Sequence, residues 1–142
     1  MARRIVDGVD RALPCAQANI DTNPIFKHTV ARVDIPVKDP PALPFSVVDT
    51  VKPAEFHVLR LGEITVVTNP FELFIDYGIR IQARSEAVLT FVVQLSCGHS
   101  EYLPTARAVR GGGYSAEKYL VGPEGGRVLV DESVKRINAF WP

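Results

Sequence analysis

Five side chains in this 142-residue sequence are of the types that metal and acid–base chemistry uses: His57, Glu72, Cys97, His99 and Tyr102. A carboxylate, two imidazoles and a phenol are oxygen and nitrogen donors suited to a hard or borderline cation, and a thiolate adds a softer one. None of them sits in a local motif. There is no CxxC, no Gly-x-Ser-x-Gly elbow, and Gly111-Gly112-Gly113 is followed by Tyr114 rather than by the Lys-Ser/Thr of a phosphate loop. A site built from these residues must be assembled by the fold.

The segment 56–95 predicts how. Phe56–Leu61 reads as a strand, Gly62-Glu63 as a two-residue hairpin turn with glycine first, and Ile64–Thr68 as the partner strand. Asn69-Pro70 is expected to cap a helix running to about Ser85. The apolar run Val88–Leu95 is expected to be a strand covered on both faces. Strand, helix and strand make a right-handed βαβ unit with 64–68 and 88–95 parallel. The start of the helix and the loop after the second strand then share the carboxyl edge of the sheet, where α/β folds bind ligands. This places Glu72 near His99 and Tyr102, with Asn69, Cys97 and Gly98 lining the same pocket. If Leu61 faces Ile64, His57 falls opposite Thr68 and joins them.

Each residue also has a structural reading. Glu72, three residues after Asn69, occupies the capping-box position. Tyr102 can pack on the sheet end, Cys97 can be a small buried residue, His99 a solvated loop residue and His57 a cross-strand one. His28 is assigned no role.

The remaining elements frame this unit. Residues 3–20 predict a helix that Pro14 stops or kinks. His28–Val37 alternates as a strand, with Pro36 placing it at an edge or a strand end. Residues 38–55, carrying four prolines, read as a connector within one domain spanning 1–142. A short helix is expected from Thr105 and a loop over 114–124. A final helix from about Gly126 to Phe140 is expected to pack by Val130, Val134, Ile137 and Trp141. Gly125-Gly126 reads as a flexible N-cap or a place to hold an anion. The fold class is α/β or α+β: a mixed sheet with a β-hairpin, a βαβ unit and a C-terminal helix on the sheet.

Composition narrows the function classes. Sixteen basic residues balance sixteen acidic ones, so no overall field attracts nucleic acid. Apolar residues make up 46 % and charged residues 23 %, as in an ordinary globular domain. No apolar run is long enough to span a membrane. Two cysteines are too few for a disulfide scaffold. No apolar segment follows Arg3-Arg4, so no signal peptide is expected, and the cytoplasm is the default compartment.

From Leu59 onward the sequence resembles the neutral/alkaline, non-lysosomal ceramidases. The matching stretches are LRLGEITVVTNPFELFIDYGIRIQARS (59–85), TFVVQLSCGHSEYLPT (90–105) and GGGYSAEKYLVGPEGGRVLVDESV (111–134). They lie in the second half of that family's catalytic region; the first half, which supplies two zinc-binding histidines, has no counterpart here. The resemblance implies a zinc amidohydrolase acting on a lipid-like or other amide. It implies Glu72, in Asn69-Pro70-Phe71-Glu72, as a metal ligand, and Tyr102 as the phenolic one, with His99 in an alternative register. Pro-Phe-Glu replaces the family's Pro-Gly-Glu, narrowing the space beside the carboxylate. Cys97-Gly98-His99 replaces its Asn-small-Tyr. Missing ligands would come from His57, His99 or another chain. The expected forms are a fragment or subunit completed by an N-terminal half, and alternatively a non-catalytic, homo-oligomerising interaction domain.

Overall fold

The computed structural model describes residues 2–37 and 53–142. In chain order the elements are α1 (Ala2–Ala18), β1 (Phe26–Val33), β2 (Ala54–Leu61), β3 (Ile64–Thr68), β4 (Glu72–Leu73), α2 (Ile75–Arg84), β5 (Leu89–Val93), β6 (Tyr102–Leu103), α3 (Ala106–Gly111), α4 (Tyr114–Glu117) and α5 (Pro123–Asn138). Four strands form one mixed sheet in the order β1-β2-β3-β5, and β4 and β6 form a separate parallel pair. The α/β class follows directly from this arrangement.

The hairpin forms as its sequence requires. Of the two turn residues only Gly62 takes a positive φ (+58°), and Leu61 pairs with Ile64. β3 and β5 run parallel, from Ile64 opposite Leu89 to Thr68 opposite Val93, with α2 in the connection. β1 is the edge strand next to β2. It runs earlier than its alternation suggested, ending three residues before Pro36, and Val37 instead bridges to Val121. Residues 38–52 of the proline-rich connector lie outside the described residues, and Ala54 and Glu55 already belong to β2.

Several expectations are corrected. Asn69-Pro70 does not open a helix. The Asn69 side-chain oxygen accepts from the Phe71 amide, an Asx turn, and the chain stays extended through β4 before α2 begins at Ile75 with Phe74 as its N-cap. Glu72 is therefore neither a capping-box residue nor in a first helical turn; Asp76 is the acidic residue there. Tertiary pairing of 72–73 with 102–103 outweighs the local capping signal. α1 continues through Pro14 to Ala18, so the proline does not stop it. Residues 114–117 form a helical turn instead of loop. α5 starts at Pro123, three residues earlier than expected, because Pro123 suits the first helical position and Gly122 the cap.

That earlier start puts Gly125 and Gly126 inside α5, where they make room rather than flexibility. A Cβ on Gly125 would run into Val121 and Ile35, and one on Gly126 would run into the Tyr77 ring. Tyr77, on α2, is 2 % exposed, and its hydroxyl donates to the Pro104 carbonyl at 2.9 Å. Burial pushes its pKa up to about 12. α2 and α5 thus meet at a glycine–tyrosine contact, with Leu129, Val130, Val134 and Ile137 covering the inner sheet face of Ala31, Phe56, Val58 and Val67.

Among the described residues, no element covers the opposite sheet face. Register lines up Phe26, Leu61, Ile64 and Leu89 in one row and His28, Leu59, Val66 and Phe91 in the next. Phe26 is 64 % exposed and Phe91 47 %. Among the described residues no element lies over the Leu89, Phe91 and Val93 side of β5, so that strand is covered on one face and not on both. No residue of α1 is buried either, so its apolar residues Ile5, Val6, Val9 and Leu13 face outward.

Gly126→Ala should destabilise the fold by about 1–3 kcal/mol through overpacking against Tyr77, more than the helix-propensity gain of under ~1 kcal/mol returns. Gly8→Ala in α1, with open space around it, should leave the melting transition where it is or raise it. Urea melts of the two variants beside the parent check the contrast.

Candidate functional site

The site is laced together by backbone. Beyond the ends of β3 and β5, the segments 69–74 and 93–103 exchange a run of hydrogen bonds. The Asn69 amide donates to Val93 O at 2.9 Å, Ser96 N to Asn69 O at 2.9 Å and Leu95 N to Phe71 O at 3.2 Å. Ser100 N donates to Pro70 O at 2.9 Å, Glu72 N to Glu101 O at 3.0 Å and Phe74 N to Leu103 O at 3.4 Å. Asn69 is 2 % exposed, and its side-chain amide also donates to Val93 O. Its role is to hold the two segments rather than to line a pocket.

This lacing sets Glu72 opposite Tyr102 in the parallel β4–β6 pair. The Glu72 carboxylate, as a hydrogen-bond acceptor and negative charge beside the Tyr102 phenol, is the main reason the phenol's pKa is raised above the ordinary tyrosine value. Tyr114 stands edge-on to the Tyr102 ring, 5.9 Å between centroids. The carboxylate and phenol oxygens are both hard donors, of the kind that hold divalent cations.

The connecting loop is bent by residues other than glycine. Leu95, Cys97 and Glu101 all adopt positive φ (+54°, +65° and +59°), a conformation costing each roughly 1–3 kcal/mol unless its surroundings impose it. Gly98, at φ +146°, lies where a Cβ would come within 3.3 Å of Pro70. Ser100 is 1 % exposed with an unpartnered hydroxyl among the described residues. Such a group marks a place for a water or a ligand atom.

The other candidates lie elsewhere. His57 is opposite Thr68 as expected; its amide donates to the Thr68 hydroxyl at 2.8 Å, and that hydroxyl lies 3.6 Å from the Cys97 sulfur. Cys97 is exposed, not a buried small residue. The His57 ring, however, turns to the outer sheet face. Its Nδ1 is 2.9 Å from His28 Nε2, with the rings stacked, and its Nε2 is 3.5 Å from the Glu55 carboxylate. Arg32 and His57 together hold the Glu55 carboxyl below its usual range. His28, to which the sequence assigned nothing, thus belongs to a cross-strand His–His–Glu–Arg row; the signal available was its diagonal register to His57. His99 is exposed and has no hydrogen-bond or ion-pair partner among the described residues.

A catalytic zinc takes three or four protein ligands and keeps a position for water. Glu72 and Tyr102 supply a carboxylate and a phenol. Among the described residues no three His, Cys, Asp or Glu side chains group so as to hold a metal. This chain's described residues therefore do not make a zinc centre alone.

A mixed sheet with a parallel strand pair, flanked by a carboxylate–phenol pair at its carboxyl edge, is the architecture that the comparisons with known proteins bear on. No family model and no curated protein matches the chain. Two solved structures do: a ceramidase complexed with C2 (TM-score 0.55) and the neutral ceramidase from Pseudomonas aeruginosa (TM-score 0.56), each 19 % identical over 61 % of this chain. At that identity the likeness is one of fold. The chain spans 14 % and 15 % of the lengths of those two structures.

Glu72→Gln should bring the Tyr102 pKa down toward its ordinary value, since both the charge and the strong acceptor are lost. In the parent, a raised folded-state pKa contributes stability that is whole below the ordinary tyrosine pKa and is lost as pH rises through the raised one. The variant's stability should therefore fall off less in alkali. NMR titration of the Tyr102 ring, with melts across the alkaline range, measures both.

Proposed function

We propose that this chain carries part of a ceramidase-like amidohydrolase site, with Glu72 and Tyr102 as its contribution to a zinc centre. The remaining ligands come from outside the described residues: an N-terminal half or another polypeptide. The single observation that carries this reading is the Glu72–Tyr102 pair, held by β4–β6 in a fold otherwise seen in two ceramidases. In such a centre a bound zinc supplies a polarised carbonyl and an activated water. The chain's own part is to hold a carboxylate and a phenol side by side on rigid backbone. The substrate class is a lipid-like or other amide. Phe71 contributes no wall beside the carboxylate, because its ring is fully buried in the core.

A specific observation favours a second reading, a non-catalytic domain that works by association. The outer sheet face is broadly apolar and no described element covers it, and patches of that kind mark interfaces. Both readings expect the face to be covered, either by the missing half or by a second copy in a homo-oligomer. No helix among the described residues is long and apolar enough to cross a membrane.

Elemental analysis of the purified protein separates the two. The first reading expects the chain, purified together with the polypeptide that completes the centre, to retain zinc that Glu72→Gln and Tyr102→Phe each remove and that a chelator strips. Zinc-free protein that sediments as a tight oligomer supports the second. In either case Phe91→Lys, which places a charge in the middle of the outer face, should shift the sedimentation profile toward smaller species while leaving the circular dichroism spectrum unchanged.

A further inference from the structure

On the helical side of the molecule, α2, α3 and α5 line a cleft of about 360 Å³. Four arginines line it: Arg80 from α2, Arg107 and Arg110 from α3, and Arg127 from α5. Among the described residues, Arg127 alone of the four is ion-paired, with Glu124 at 3.3 Å and Asp131 at 3.5 Å. Arg80 lies over the Tyr77 ring at 5.7 Å but makes no ion pair, and neither do Arg107 and Arg110, among the described residues. Two carboxylates, Asp76 and Glu124, line the same cleft. Four guanidiniums against two carboxylates leave a surplus of two positive charges in a chain whose formal net charge is zero.

Like charges gathered around one cavity repel, and they repel more strongly where protein replaces water. Here Asp76 lies within the cleft, yet none of the three free arginines closes on it. The surplus matches one doubly charged anion. Guanidiniums present planar forks that pair with two oxygens at a time, the geometry of a phosphoryl group. The volume suits a phosphoryl group with a small organic substituent. We propose that this cleft binds a phosphate-type dianion, either free or as a phosphomonoester headgroup, through Arg80, Arg107 and Arg110. Arg127 orients from the rim, and Asp76 and Glu124 set a polar boundary that disfavours a second anionic group. This binding is independent of the metal reading and stands or falls without it.

The test is isothermal titration of the full chain with inorganic phosphate and with pyrophosphate, and flotation with phosphatidylcholine vesicles with and without phosphatidic acid. Arg107→Ala and Arg110→Ala alter exposed residues of a short surface helix, so the fold should survive; circular dichroism checks this. Each is expected to weaken binding by roughly tenfold, with Arg107→Lys weakened as well because it keeps the charge and loses the fork. Arg3→Ala, on exposed α1, should bind as the parent does. Affinity should fall with added sodium chloride. Phosphate binding lost in the cleft variants supports a free phosphate or soluble ester. Flotation that depends on phosphatidic acid and on the same arginines, without phosphate binding, supports the headgroup source. No binding of either probe, or binding that Arg107→Ala and Arg110→Ala leave intact, or that Arg3→Ala weakens equally, overturns the proposal.

Discussion

The geometry of the candidate site depends on one constraint: the hydrogen-bonded lacing of residues 69–74 to 93–103. Each strand of the parallel pair β3–β5 must end, and its successor must leave with its polar backbone satisfied. Asn69 solves this with a buried side chain that binds its own chain at Phe71 and the neighbouring strand at Val93. Once those contacts exist, the register of everything downstream is fixed. Glu72 can only meet Tyr102, and the loop between must turn within a few residues. A shift of one residue in this lacing would turn the Glu72 side chain away from the phenol, because side chains alternate along an extended segment.

The fold was legible in the sequence where local chemistry and tertiary structure agree. The Gly62-Glu63 turn, the alternating strands on either side and the apolar run after α2 give the hairpin and the parallel return directly. The nearness of Glu72 to the 97–102 loop followed from topology alone. What misled was the Asn69-Pro70 pair, an equally good signal for a helix cap and for an Asx turn. Which one forms is decided by residues about thirty positions away in the sequence, whose carbonyls and amides are invisible to any local pattern. The His28–His57 contact was hidden for a related reason: it depends on the pairing of β1 with β2 across the connector. The arginine-lined cleft was also out of reach, since Arg80, Arg107, Arg110 and Arg127 come together only through the packing of three helices.

The molecule is asymmetric across its sheet. One face is a closed core, sealed by α2 and α5 down to a contact that admits no side chain at Gly126. The other is an ordered array of apolar side chains with a polar His–Glu–Arg corner. The buried Arg60, stacked 4.1 Å from the Trp141 ring and bonded to the Phe140 and Gly62 carbonyls, ties the C-terminal residues to the hairpin on the closed side. Close packing on one side thus leaves the apolar array of the other exposed among the described residues, with the Glu72–Tyr102 pair held beyond the sheet's edge.

The left-handed residues of the loop bear on how the sequence can drift. Leu95, Cys97 and Glu101 each sit where glycine or asparagine would be more comfortable. Replacement by glycine would relieve the local strain but also free the unfolded chain, so the two effects oppose each other in stability. In the folded loop only one of them acts: glycine widens the range of backbone shapes, and the phenol is carried on the segment that follows. Variants at these three positions can thus look neutral in a melting experiment while blurring the position of Tyr102. Selection on shape rather than on stability is what would keep side chains there.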